Sequence, residues 1–155
     1  MTSENQPQQP ERRKQTLALV EELEKERNQV WSLYTQVADL KPYSSEQQIQ
    51  PLLNKFAQLL IDYISLGEFG IYRRITDGTE RRIQVKEAAE SMYGEFSCTT
   101  DIAVSFNDKY ANASSDQIAA GLEHDLSTLG ESLAKRVDIE DHICGLILRR
   151  KPDPR

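Results

Sequence analysis

The stretch from residue 56 to residue 75 reads FAQLLIDYISLGEFGIYRRI, and it decides how the chain folds. Its apolar residues, and those just before it, recur at steps of three and four, the spacing of one buried helical stripe. The stripe comprises Ile49, Leu52, Leu53, Phe56, Leu59, Leu60, Tyr63 and Ile64. Asp62 lies roughly 120° from the middle of the stripe on a helical wheel, so we expect its carboxylate at the edge of the buried face. Gly67 predicts a left-handed stop to the helix, followed by a short helix from Glu68.

The same spacing predicts four long helices and one short helix along the chain. We expect the long helices at about residues 11–39, 45–66, 80–110 and 115–150, and the short one at about 68–76. Ser44 or Ser45 would cap the second helix. In the first helix, the residues expected to face inward are Leu17, Val20, Leu23, Val30, Trp31, Tyr34 and Ala38. Because no segment shows strand alternation, we predict an all-α fold, an antiparallel up-and-down four-helix bundle with one additional short helix.

Length and composition indicate a single domain. A chain of 155 residues can bury one core but is short for two. We expect a disordered Gln/Pro-rich leader at 1–10, the bundle at 11–150 and a basic, proline-containing tail at 151–155. No run of about twenty apolar residues occurs, and the first ten residues lack the pattern of a secretion signal. The sequence therefore predicts a cytoplasmic protein without a membrane segment, in which Cys98 and Cys144 are reduced packing residues.

Charge is distributed unevenly along the chain. Residues 1–86 hold 12 basic and 12 acidic groups, residues 87–141 hold 3 and 12, and residues 142–155 hold 4 and 1. An acidic surface repels nucleic acid and attracts a basic protein surface. We therefore expect a basic protein partner and no direct binding of nucleic acid.

Several charged residues fall on the predicted buried faces. On the wheel of the last helix, Arg136 and Glu140 lie within roughly 20° of the centre of the stripe, and Asp125 within about 40°. Arg27 lies on the apolar face of the first helix. Since an unpaired buried charge is costly, we predict that Arg136 pairs with Glu140, and that Arg27 pairs with Asp125, Glu140 or Glu68. The predicted buried polar network comprises Arg27, Glu68, Asp125, Arg136 and Glu140.

Three roles are open to this network: setting the register of the helices, lining a former cofactor cavity, or catalysis. A ferritin-like metal site needs Glu-x-x-His, but Gly121 and Ile139 stand three residues before His124 and His142. No glycine-rich phosphate loop, nucleophile elbow or zinc-ligand spacing occurs either. The sequence therefore predicts no catalytic residues, no metal and no cofactor, and it favours the structural role.

Two blocks of the sequence resemble one family of bacterial regulators. Residues 62–72 contain the pattern D-Y-x-S-x-G-x-F-x-x-Y, and residues 126–141, LSTLGESLAKRVDIED, follow L-x-x-[IL]-G-E-x-L-x-x-R-x-x-x-E-D. Both patterns resemble the Rsd/AlgQ family, and Arg27, Tyr34 and the Leu40–Pro42 segment add weaker support. The chain departs from the family at Glu68, where a histidine is usual, and at residues 20–22, where an Asp-Arg-Trp cluster is usual.

The resemblance implies an anti-sigma function. Such a protein binds the C-terminal, promoter-reading domain of the primary sigma factor, as a monomer, and sequesters it from core RNA polymerase and promoter DNA. The contact residues predicted for this chain are Asp62, Lys55, Leu59, Leu66 and Phe69. The alternative is a helical-bundle adaptor that binds another cytoplasmic regulatory or metabolic protein through its acidic fourth and fifth helices.

Overall fold

Helices make up nearly all of the chain in the computed structural model, which describes residues 9–76 and 80–148. They are α1 Gln9–Ala38, α2 Gln50–Ser65, a π-helix Leu66–Tyr72, α3 Arg73–Thr76, α4 Ile83–Tyr110 and α5 Ser115–Leu148. The described residues contain no strand, so the predicted all-α class is confirmed. Residues 77–79, most of the expected leader and the expected tail lie outside the described residues.

The four long helices form an antiparallel bundle, as predicted. Helix α1 packs on α2 and α5, and α4 packs on the same two helices. Contacts between α1 and α5 show their opposite directions, because Arg13 donates to the carbonyl of Leu148 at 2.9 Å and Tyr34 donates to that of Leu126 at 2.8 Å. Each long helix therefore has two long neighbours, and the core lies between all four.

Aromatic rings fill the middle of this core. Phe56 of α2 packs edge-on against Tyr34 of α1 at 6.1 Å and against Phe106 of α4 at 5.8 Å between ring centroids. Leu33 and Val37 are buried core residues that the sequence analysis missed, whereas Leu17, which we expected to face inward, is 43% exposed. Residue 17 precedes the first well-buried turn of α1, which begins at Val20.

The two ends of α2 differ from the prediction. The helix begins at Gln50 rather than near Ser45, with Pro51 in its first turn. Proline lacks an N–H and fits only the first turn of a helix, so a helix starting at Ser45 would have placed it in the interior. Gly67 does not stop the helix either, because the chain keeps right-handed helical dihedrals at Ser65, Leu66 and Arg73. The predicted left-handed stop is therefore wrong, and α2, the π-helix and α3 run on continuously from Gln50 to Thr76.

The two cysteines lie in different surroundings. Cys144 is buried in the core, as expected, but Cys98 is exposed on α4. The prediction that both are packing residues is wrong for Cys98, since the buried face of α4 passes through Phe96 and Thr99 instead.

None of the helices in the described part of the chain is both long and apolar enough to cross a membrane.

Candidate functional site

A fully buried ion pair lies at the centre of the bundle. Arg136 and Glu140 of α5 are 0% and 3% exposed, and Nε of Arg136 lies 3.1 Å from Oε2 of Glu140. The two residues stand one helical turn apart, the spacing at which side chains on one helix face meet. The structure thus places this predicted pair inside the core.

Arg136 uses its remaining donors on two neighbouring helices. Nη1 donates to the hydroxyls of Thr99 and Thr100 on α4 at 3.0 and 2.9 Å, and Nη2 donates to the carbonyl of Ile64 on α2 at 3.1 Å. The guanidinium also lies over the ring of Phe96, 3.9 Å from its centroid. These contacts offset the cost of taking the charge out of water.

Glu140 accepts hydrogen bonds from α2 and from α1. The hydroxyl of Tyr63 on α2 donates at 2.6 Å, and Nη1 of Arg27 on α1 donates at 3.4 Å while it also pairs with Asp141 at 3.0 Å. The network therefore joins all four long helices at one level of the bundle. Because each partner must sit at a fixed height along its helix, such a cluster can set the helix register.

The pKa values of Glu140 and Tyr63 are both raised in the buried network. Burial raises the pKa of Glu140 above its ordinary range, although Arg136, Tyr63 and Arg27 act in the opposite direction. Burial also raises the pKa of Tyr63, and the nearby charge of Glu140 adds to that rise. Tyr63 therefore stays protonated and donates to Glu140.

Gly67 gives this network the space it needs. A Cβ atom added at Gly67 would lie 2.9 Å from Nη2 of Arg136 and 3.3 Å from Oε2 of Glu140. Any larger residue would push against the ion pair. The glycine is thus explained by close approach and not by the left-handed turn that we predicted.

Two members of the predicted network lie elsewhere. Asp125 is held by Lys109 at 2.7 Å and by the hydroxyl of Tyr110. It stands eleven residues before Arg136, or about 16 Å along the helix axis, so its inclusion in the network was wrong. Glu68 accepts from Tyr93 at 3.2 Å and from Thr100 at 3.3 Å. Among the described hydrogen bonds it reaches the network through Thr100, and the described ion pairs do not join it to Arg27.

The predicted contact residues from Lys55 to Leu66 lie along one flank of α2 and of the start of the π-helix that continues it. Lys55 and Asp62 are exposed, and Leu59 and Leu66 are half-buried. Gln58 donates from Nε2 to the carboxylate of Asp62 at 3.2 Å. The structure therefore presents a carboxylate and two partly covered leucines on the same side, which we call the α2 flank.

Glu26 of α1 interacts electrostatically with this flank, and the sequence analysis missed it. Burial raises the pKa of Glu26, and the neighbouring Glu22 and Asp62 raise it further. The effect of Asp62 crosses from α2 to α1 and depends on the packing of these two helices, so it could not be read from the sequence.

Phe69, the remaining predicted contact residue, lies in the π-helix just beyond the α2 flank. Its side chain is 56% exposed, and the guanidinium of Arg73 lies 4.8 Å from the centre of its ring. The structure buries Tyr72, whose hydroxyl donates to the carbonyl of Ala89 at 3.0 Å, and leaves Phe69 at the surface.

Within the described residues, no group of three or more His, Cys, Asp and Glu side chains is arranged to hold a metal ion. His124 and His142 are both exposed on α5.

Comparison with known proteins identifies the family. The family described as "Regulator of RNA polymerase sigma(70) subunit, Rsd/AlgQ" matches residues 1–148 of the chain. A protein named "Regulator of sigma D" from Yersinia enterocolitica is 30% identical over 114 residues, covering 71% of this chain and 68% of its own length. A protein of the same name from an Enterobacter species is 30% identical over 128 residues, covering 79% of this chain and 75% of its own length. No solved structure gives a significant match. The chain therefore belongs to the Rsd/AlgQ family of regulators of the RNA polymerase sigma(70) subunit.

Proposed function

We propose that the chain binds the C-terminal, promoter-reading domain of the primary sigma factor and sequesters it from core RNA polymerase and promoter DNA. The family match supports sigma(70) as the regulated protein. The observation that carries the choice of surface is the exposed carboxylate of Asp62 on the α2 flank, which also raises the pKa of Glu26 on the adjacent α1. A DNA-reading domain presents a basic surface, and an acidic flank complements it.

The α2 flank has the composition of a contact surface. Leu59 and Leu66 are half-buried and can lose their remaining exposure to a partner, while Lys55 and Asp62 border them. Binding energy is commonly concentrated in such apolar contacts ringed by polar groups. Complementary charge mainly raises the rate and specificity of association. Phe69, at 56% exposure, is the proposed apolar anchor at the end of the flank.

The proposed mechanism is stoichiometric occlusion. It requires a rigid surface and no chemistry, and the network around Arg136 and Glu140 supplies rigidity because it ties all four long helices together. We propose that the chain acts in the cytoplasm, as a monomer when bound, without a cofactor and without direct contact to nucleic acid.

Assembly of the polymerase tests this function. The sigma factor is incubated with increasing amounts of the chain, core RNA polymerase is added, and holoenzyme is measured by native electrophoresis. The proposal predicts that holoenzyme falls in proportion to the chain until sigma is fully bound. Full holoenzyme formation at an excess of the chain would contradict sequestration.

A second candidate function is that of an adaptor for another protein. A groove of about 300 Å³ between α4 and α5 favours it, and Ile102, Ser105, Lys109, Asp125 and Thr128 are among its lining residues. Ile102 is 36% exposed there, within the acidic half of the chain. Affinity capture from a bacterial lysate separates the two functions, because the leading proposal requires the primary sigma factor among the captured proteins.

A further inference from the structure

A shallow pocket of about 320 Å³ opens beside the π-helix, and Glu68, Phe69, Tyr72, Arg73 and Tyr93 line it. Phe69 is 56% exposed and Tyr93 is 42% exposed. The rings of Tyr72 and Tyr93 lie 5.5 Å apart between centroids. Adjacent exposed aromatic side chains are typical of binding surfaces, and π-helical turns are frequent at functional sites.

The pocket is lined by one carboxylate and one guanidinium: Glu68 contacts Tyr93, whereas Arg73 lies over the Phe69 ring. The carboxylate of Glu68 accepts hydrogen bonds from two neutral hydroxyls, those of Tyr93 at 3.2 Å and Thr100 at 3.3 Å. The ion pairs seen among the described residues do not include Glu68. The charge of Glu68 raises the pKa of Tyr93, and Asp101 adds to the effect. The Tyr93 side of the pocket is therefore at a negative potential that favours a cation.

The aromatic rings favour a planar cation in particular. Arg73 already places its guanidinium 4.8 Å from the centre of the Phe69 ring, which shows that the π-helix accommodates such stacking. Arginine stacks on aromatic faces and binds carboxylates with two parallel N–H donors, whereas lysine offers only a point charge. A second guanidinium could stack on Tyr93 and still reach Glu68.

We propose that this pocket binds the guanidinium group of an arginine side chain presented by a protein partner, between the Tyr93 ring and the Glu68 carboxylate. The inference rests on the proposed function for the identity of that partner, the sigma domain. Phe69 belongs both to the pocket and to the proposed contact surface, so one basic segment could use both. The excess of acidic groups in residues 87–141, 12 against 3 basic, would draw such a segment toward the Tyr93 side.

The first test is an NMR titration of the full chain with N-acetyl-arginine methylamide. We expect saturable shifts of the amide signals of residues 67–73 and of Tyr93. Glu68→Gln should weaken binding about fivefold, because it removes the charge that strengthens the hydrogen bonds but keeps the size of the side chain and one acceptor oxygen. Glu95→Gln, at an exposed position on α4, is the matched control and should bind as the unaltered chain does. Absence of saturable shifts, equal binding by Glu68→Gln, or tighter binding of N-acetyl-glutamate methylamide would overturn the proposal.

The second test separates this inference from the proposed function. The isolated sigma C-terminal domain is titrated into the unaltered chain and into Glu68→Gln, and we expect about a fivefold loss of affinity in the variant. Equal affinity would overturn the pocket's role and leave sigma binding intact. If the sigma domain binds neither protein while the arginine compound binds as expected, the proposed function fails and the guanidinium site stands.

Discussion

At the scale of single residues, Gly67 and the Arg136–Glu140 pair depend on each other. Gly67→Ala should destabilise the fold by about 1–3 kcal/mol, as overpacked core substitutions do, because the new methyl group meets Nη2 of Arg136 at 2.9 Å. Gly94→Ala is the matched control, since nothing lies within 4 Å of its Cβ position on α4. That control should stabilise the helix by about 0.5–1 kcal/mol. Urea unfolding measures both, and equal effects of the two substitutions would contradict the role assigned to Gly67.

The ion pair itself makes a second prediction at this scale. Arg136→Met or Glu140→Leu alone should cost about 3–5 kcal/mol, because each leaves the opposite charge buried without its main partner. The double variant should cost less than the sum, and Arg27 would still pair with Asp141 at 3.0 Å. A double-mutant cycle by urea unfolding measures the coupling. Single variants that unfold like the unaltered protein would show that the pair contributes nothing to stability.

At the scale of helices, the reactivity of the two cysteines tests which faces of α4 and α5 are exposed and which are buried. Cys98 is exposed and Cys144 is buried, and burial raises the pKa of the Cys144 thiol to about 12. We therefore expect a thiol reagent to modify Cys98 rapidly in the native protein and Cys144 only after unfolding. Cys98→Ser should remove the rapid reaction. Rapid modification that persists in this variant would contradict the orientation of α5.

Asp125 of α5 pairs with Lys109 and Tyr110 at the end of α4, and this contact predicts that the stability of the fold depends on pH. Lys109 and Tyr110 lower the pKa of Asp125 below its ordinary value of 3.8, although partial burial acts in the opposite direction. Since the folded state binds this proton more weakly, the stabilisation is present above pH 3.8 and is lost as pH falls through the lowered pKa. Asp125→Asn should cost about 0.5–1 kcal/mol at neutral pH, and the difference should shrink in acid. Asp108→Asn, at an exposed position on α4, serves as control, and a pH-independent difference for Asp125→Asn would contradict the ionic link.

Features of a helix that depend on local spacing could be predicted from the sequence, whereas those that depend on tertiary packing could not. The extent of α5, expected at about 115–150 and observed at Ser115–Leu148, was predictable because apolar spacing depends only on local helical geometry. The π-helix was not predictable. It contains Gly67, whose close approach to Arg136 joins residues that are 69 positions apart in the sequence. Asp125 was misplaced because a helical wheel gives the direction of a side chain but not its height along the bundle.

At the scale of the whole molecule, the bundle and the family could be predicted from the sequence, whereas the surroundings of the proposed contact residues could not. The position of Asp62 at the edge of the buried face was predicted from its angle on one helix. Its electrostatic interaction with Glu26 of α1 requires knowing that α1 packs on α2. The exposure of Phe69 depends on the π-helix that follows α2. A binding surface made by several elements therefore needs the fold before its residues can be assembled.

A titration of the isolated sigma C-terminal domain into three forms of the chain tests the central claim most directly. The unaltered chain should bind saturably with one domain per chain. Asp62→Ala should weaken binding by about 1–3 kcal/mol with nearly unchanged thermal unfolding, since its carboxylate is exposed and accepts only from Gln58 among the described hydrogen bonds. Asp138→Ala, an exposed carboxylate on α5, should bind like the unaltered chain. Absence of binding by the unaltered chain, or equal affinity of Asp62→Ala and Asp138→Ala, would contradict the claim that the α2 flank binds sigma.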